Sequence, residues 1–164
     1  MQEILSHLEI EQKINRLAHQ IIENCFEENL IHIGGIIGNG HILAEKIATI
    51  IKSQSDLEVN TFEININKSE PWAESITLSA DVDSLKNGFI LLVDDVLNSG
   101  KTMQYALTEI LRFPTKAIKT VALVDRTHRR FPIKADFVGL GLSTTLKERV
   151  EVVLDQTEHN AYLV

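Results

Sequence analysis

One cysteine, Cys25, is all this chain has, which excludes an internal disulfide and the stapled folds of small secreted domains. No basic segment followed by an apolar stretch opens the sequence, and no apolar run approaches membrane-spanning length, so a cytoplasmic protein is expected. In that compartment the sequon Asn67-Lys68-Ser69 has no meaning. Positive charge is also in deficit. The formal net charge of -7 disfavours nonspecific nucleic-acid binding, because phosphate backbones are held by clustered Lys and Arg. Arg126, His128, Arg129, Arg130 and Lys134 form the one dense basic stretch, either a local patch or a solvated loop after a strand. His19, His32 and His41 lack metal-site spacing, and neither repeats nor low-complexity linkers occur. What is there is 164 residues, 44% of them hydrophobic, enough for one domain (1–164) with a core that needs no metal or disulfide.

Along the chain, apolar and polar residues alternate in a strand-helix rhythm. Ile10, Ile14, Leu17, Ala18, Ile21, Ile22 and Cys25 recur at helical spacing, which predicts an amphipathic first helix over 4–26. Leu30 to Ile33 reads as a buried strand, and Gly34, Gly35, Gly38 and Gly40 crowd the turn before a helix over about 42–51. A strand over 58–66, an irregular middle stretch, a strand ending at Asp94, a helix over about 101–112 and a strand over 117–124 follow. This repetition predicts an α/β single-domain parallel sheet flanked by helices.

The most informative segment is Phe89-Ile90-Leu91-Leu92-Val93-Asp94-Asp95-Val96-Leu97-Asn98-Ser99-Gly100-Lys101-Thr102. Its unbroken apolar run suits a strand buried on both faces, with the acids emerging at the carboxyl edge, where ligands meet helix N-termini in α/β sheets. The turn from Asn98 through Ser99, Gly100 and Lys101 to Thr102 offers small side chains, hydroxyls and backbone amides to a phosphate. Asp94 and Asp95, as acceptors, suit the paired hydroxyls of a pentose. Gly100-Lys101-Thr102 mimics the end of a triphosphatase P-loop, but Asp95 stands where that motif needs its first glycine. An isolated Asp-Asp pair would read as solvated or capping. Strand, acids and turn together point to a sugar-phosphate cradle.

These residues resemble the phosphoribosyl pyrophosphate signature of type I phosphoribosyltransferases. The stretch from Val121 to Gly139, with Ser143-Thr144-Thr145 and the strand Val150 to Leu154, is similar to the branch that joins uracil phosphoribosyltransferase activity to attenuation of pyrimidine operons. The resemblance implies the type I fold with a small hood region. It also implies transfer of the 5-phosphoribosyl group from phosphoribosyl pyrophosphate to a nucleobase, uracil first, with release of pyrophosphate. Asp94 and Asp95 would hold the 2- and 3-hydroxyls and stabilise an oxocarbenium-like transition state, while residues 98–102 hold the 5-phosphate. Gly35, Gly38, Asn39 and Gly40 would form the pyrophosphate loop. Asp125, Arg126, Ser143 and Thr144 would form the base pocket, with Asp125 and Arg126 alternatively a structural ion pair. His128 and Arg129 match positions used for RNA in that branch, or are simply exposed. Trp72 would pack within the hood. Mg2+, carried mainly by substrate phosphates, and a homo-oligomer (dimer or tetramer) are further implications.

Two departures from the family pattern stand out. The attenuator branch has Lys-Thr-Arg-Gly where this chain has Ile37-Gly38-Asn39-Gly40, and Tyr-Arg-Asp-Asp where it has Asn67-Lys68-Ser69-Glu70. Lys68 keeps a charge without an arginine's bidentate grip and is included with the catalytic acids. A hydrogen bond to a charged group contributes roughly 1.5–3 kcal/mol, so two or three lost contacts would cost orders of magnitude in rate unless backbone amides, Mg2+ or Lys46 compensate. An enzyme is therefore the first reading, a nucleotide- or phosphoribosyl pyrophosphate-sensing regulator with RNA as one possible target the second, and a purely structural subunit the third.

Overall fold

The computed structural model describes residues 1–145, 148–155 and 157–164. A six-stranded sheet runs through its centre. The strands are β2 (Leu30–Ile36), β3 (Glu58–Asn65), β4 (Thr77–Leu78), β5 (Phe89–Leu97), β6 (Ala117–Asp125) and β7 (Phe137–Gly141), in the order β4-β3-β2-β5-β6-β7. All pairings are parallel except β3 with β4. The expected parallel sheet thus carries one short antiparallel edge, where Ile64 faces Leu78.

Helices α1 (His7–Asn24) and α2 (Asn39–Gln54) cover one face, and α3 (Val82–Leu85) and α4 (Lys101–Ile110) lie on the other side. The apolar run in β5 explains itself in this setting. Leu91 and Val93 join the core under α1 and α2, while Ile90 and Leu92 join the core under α4.

A second sheet goes beyond the sequence expectation. β1 (Gln2–Leu5), β8 (Val150–Leu154) and β9 (His159–Leu163) form an antiparallel sheet in the order β1-β9-β8. The helix predicted from residue 4 therefore begins later. Ser6 caps it, its hydroxyl accepting from the Glu9 amide while the Glu9 carboxylate accepts the Ser6 amide, a reciprocal capping box. Ser6-His7-Leu8-Glu9 is that motif's sequence signature.

Gly34 and Gly35 likewise belong to β2 rather than to a loop. A methyl group on Gly35 would meet the Gly40 carbonyl oxygen at 2.7 Å, and one on Gly40 would meet the Val93 carbonyl oxygen at 2.7 Å. These two glycines let α2 press against the sheet edge. Of the four, only Gly38 needs glycine's backbone freedom, at φ 88°, with open space around it.

Candidate functional site

The carboxyl end of β5, the N-terminus of α4 and Lys68 enclose a cleft of about 340 Å³, lined by Asp94, Asp95, the turn from Asn98 to Thr102, and Val150 of β8. Asp94 does not lie beyond the strand but inside it, opposite Ala122 of β6. It is 4% exposed. Its Oδ1 accepts the Asp95 amide (2.9 Å) and the Lys68 ammonium (3.2 Å). Burial pushes the Asp94 carboxyl up to about 7, the neighbouring Asp95 charge adds to the rise, and Lys68 partly offsets it. Asp95 is half-buried, with Oδ1 on the Val96 amide (2.8 Å) and Oδ2 on the Asn39 side-chain amide (3.0 Å).

The turn after β5 presents backbone donors to the cleft. Gly100 caps α4 at φ 87°, in the left-handed region, with no side-chain cap bond, and the Ser99 hydroxyl accepts the Lys101 amide (3.2 Å). The first amides of a ten-residue helix lack intrahelical acceptors and face the cleft with the positive end of the helix dipole behind them. The Ser99 carbonyl accepts the Arg130 and Phe131 amides, which fastens the turn from below. From above, the Lys101 ammonium donates to the Ser69 carbonyl (2.9 Å) and lies 5.6 Å from the Trp72 ring centre. Trp72, largely exposed, stands 6.2 Å from the Tyr105 ring. The middle stretch, irregular by sequence, is thereby drawn over the cleft.

The segment after β6 differs most from expectation. Asp125 and Arg126 are not paired. Asp125 accepts Arg129 Nη2 (2.6 Å), while the buried Arg126 donates to Thr144 Oγ1 (2.9 Å), Asn98 Oδ1 (3.0 Å), His128 Nδ1 (3.3 Å) and the carbonyls of Thr145 and Glu148. His128 Nε2 donates to the Thr144 carbonyl (2.6 Å), which places its ring proton on Nε2. Arg129 also donates to the carbonyls of Ile133 (2.9 Å) and Asn98 (2.6 Å). His128 and Arg129 are thus half-buried struts rather than exposed side chains. Thr127, between Arg126 and His128, sits at φ 61°, a strained conformation for a β-branched residue. Ser143 is exposed, and the Asp125 carbonyl accepts the Leu142 amide (2.8 Å), which ties the 142–144 backbone to the end of β6; Asp125, Arg126, Ser143 and Thr144 are not among the residues lining the cleft.

In the glycine segment, Gly35 and Gly40 serve helix-strand contact, leaving Ile37, Gly38 and Asn39 as the open part of the loop. Lys46, farther along α2, does not line the cleft. The resemblance makes Asn39 an anion contact. Its bonds to Asp95 and to the Val152 carbonyl (2.8 Å) have no sequence signal, since they join distant elements.

The Asp94 and Asp95 carboxylates and the Ser99 and Thr102 hydroxyls give the cleft oxygen donors of the kind a hard divalent cation accepts, with the Lys68 and Lys101 ammonium groups beside them. Elsewhere His7, Glu11 and His159 bring ligand atoms within 4.8 Å of one another. His159 Nε2 already bonds Glu11 (2.6 Å), and His7 Nδ1 accepts the His159 amide (3.0 Å), so the trio clasps the terminal sheet to α1.

The phosphoribosyl transferase domain model matches residues 1–156. The chain is 33% identical over 162 residues to the bifunctional protein PyrR of Herpetosiphon aurantiacus, covering 95% of this chain and 91% of that protein. It is 30% identical to the pyrimidine operon regulatory protein of Lactococcus lactis, covering 96% and 91%. Among solved structures, the hypoxanthine phosphoribosyltransferase of Trypanosoma cruzi superposes with a TM-score of 0.75 at 17% identity, covering 98% and 95% of the two chains. The hypoxanthine-guanine phosphoribosyltransferase of Bacillus anthracis gives 0.73 at 21% identity, covering 92% and 85%.

Proposed function

Because the chain belongs to the phosphoribosyl transferase family, we propose that its cleft binds phosphoribosyl pyrophosphate and transfers the 5-phosphoribosyl group to a nucleobase, uracil being the first candidate. One observation carries this reading: a single cleft is lined by two adjacent carboxylates from the last half of β5 and by the turn whose amides open α4. Diol and phosphate require that pairing. The 5-phosphate would meet the amides and hydroxyls of Asn98 to Thr102, and Asp95 and Asp94 would meet the ring hydroxyls.

As the bond from the anomeric carbon to pyrophosphate breaks and the base nitrogen attacks, positive charge grows on the ring. Asp95, the more accessible carboxylate, stabilises that charge where it develops. Asp94, whose hold on a proton burial strengthens, donates or accepts a hydrogen bond according to its proton. Lys68 would move between Asp94 and a substrate anion. Asp94 and Asp95 would help hold Mg2+ carried in by the substrate phosphates, and the ion would supply positive charge to neutralise the leaving pyrophosphate. The backbone of residues 142–144 would contact the base, with Ser143 and Thr144 at its edge and Asp125 and Arg126 holding that segment in place.

We read the 164 residues as one domain of a cytoplasmic homo-oligomer, and no helix among the described residues is long and apolar enough to cross a membrane.

A second reading has a specific observation behind it. The open loop Ile37-Gly38-Asn39 carries no cation, and Lys68 is paired with Asp94, so a pentose bearing one phosphate suits the cleft better than one bearing a diphosphate as well. A regulator that senses nucleotide or phosphoribosyl pyrophosphate follows, in line with the regulatory names of the relatives, with RNA as one candidate target. The acidic net charge disfavours RNA, and with His128 and Arg129 committed within the chain, Arg130 and Lys134 are the exposed cations of the basic stretch.

The test is nucleotide formation from phosphoribosyl pyrophosphate, Mg2+ and each common base, alongside thermal shifts with phosphoribosyl pyrophosphate and uridine 5′-monophosphate. Turnover supports the enzyme. Nucleotide binding without turnover supports the sensor, and no shift with either ligand sinks both. Joint Asp94→Asn and Asp95→Asn substitution should abolish the ligand shifts while circular dichroism stays native.

A further inference from the structure

Asn39 opens α2 immediately after Gly38, whose positive φ of 88° turns the chain toward the cleft. Its side-chain nitrogen has two hydrogens, and both are used. One goes to Asp95 Oδ2 at 3.0 Å, the other to the Val152 carbonyl of β8 at 2.8 Å. β8 belongs to the terminal sheet, Asp95 to the central one, so this amide is a strut between the two layers at the point where the cleft is built.

An acidic side chain with χ1 and χ2 free would swing between ligand and solvent. Asp95 cannot, because its Oδ1 is held by the Val96 amide at 2.8 Å and its Oδ2 by Asn39. The backbone bond alone fixes one oxygen and leaves the carboxylate plane free to rotate about it. The second anchor fixes the plane. A carboxylate oxygen accepts more than one hydrogen bond, so holding Oδ2 from one side still leaves lone pairs for a hydroxyl on the other.

We propose that Asn39 is a positioning residue: it sets the orientation in which Asp95 reads the ribose hydroxyls, and so determines how strongly the cleft prefers ribose over a sugar that lacks them. This rests on the sugar-phosphate reading of the cleft. It also gives Asn39 a role other than contact with the pyrophosphate.

Calorimetric titration of the full chain with uridine 5′-monophosphate and with 2′,3′-dideoxyuridine 5′-monophosphate tests it. The wild type should bind the ribonucleotide more tightly. Asn39→Ala should reduce that preference about tenfold or more, the effect of one hydrogen bond to a charged group, while affinity for the dideoxy ligand changes little. Asn39→Asp keeps the shape but has no donor and adds a like charge, so it should lose the preference at least as fully and guards against a cavity effect in the alanine variant. In an Asp95→Asn background, Asn39→Ala should change the preference no further.

If Asn39 were only a staple between sheets, both affinities would fall together and their ratio would stand, which overturns the inference. A wild type that binds the two ligands equally overturns the sugar-phosphate reading itself. Wild-type preference that survives in both Asn39 variants overturns the role of Asn39 alone.

Discussion

Replacing Asp94 with asparagine should shift stability increasingly in favour of the variant as pH rises. The carboxyl is almost wholly enclosed, with side-chain exposure of 6% against 42% for Lys68, its cationic neighbour at 3.2 Å. Burial is the largest cause of its raised affinity for a proton, the Asp95 charge the next, and together they outweigh Lys68 and lift the group from 3.8 to about 7. Between those two values the folded chain keeps a proton that the unfolded chain has released. Stability contributed by this group is therefore fully present below about pH 4, is lost as pH climbs through about 7, and is flat above that.

Each pKa unit corresponds to ~1.4 kcal/mol, so the whole step is about 4 kcal/mol, of which roughly 2–3 kcal/mol falls between pH 5 and pH 8.5. The asparagine introduced by Asp94→Asn keeps the Oδ1 that accepts the Asp95 amide but cannot ionise. Urea unfolding of both proteins at the two pH values measures the difference, provided the m-values agree. The stability difference should shift by roughly 2–3 kcal/mol in favour of Asp94→Asn from pH 5 to pH 8.5. A difference that is constant, or that shifts the other way, refutes the claim that ionised Asp94 is buried at a cost. It would mean that Lys68 or solvent compensates the charge in full.

Two further substitutions test the scaffold around the cleft. Gly40→Ala places a methyl group 2.7 Å from the Val93 carbonyl oxygen and 3.1 Å from Asp94 Oδ1, so we expect a loss of about 1–3 kcal/mol in chemical denaturation, with ligand-induced stabilisation weakened as Asp94 shifts. A neutral result would show that α2 does not press on β5 as described. Arg126→Lys should cost roughly 2–3 kcal/mol, because an ammonium cannot span Thr144, Asn98 and the carbonyls of Thr145 and Glu148 from one fork. Unchanged stability with an altered base preference would return Arg126 to direct base contact.

The parts of this molecule legible from its residues are those written in contiguous chemistry. The β5 run, the acid pair, the turn ending at Thr102 and the helical spacing from Ile10 to Ile21 each occupy one segment, and each appears in the structure within a few residues of where periodicity puts it. The resemblance to phosphoribosyltransferases rests on the same segments, and the family and fold comparisons agree with it. The glycine cluster is half legible. Composition marks a tight place, but only packing shows that Gly35 and Gly40 accommodate a helix while Gly38 turns the chain.

The linear chain thus carries the order of the main strands and helices, the acid pair and the phosphate turn, because burial periodicity and turn chemistry act between near neighbours. Folding in three dimensions settled what distant segments do to one another. It paired Gln2–Leu5 with His159–Leu163 across almost the whole chain, gave Asp125 to Arg129 instead of Arg126, and tied Asn39 to both Asp95 and Val152. Such partners are set by the closing of the two sheets over one core, and a donor or acceptor in the linear chain has no mark that says which distant group will satisfy it.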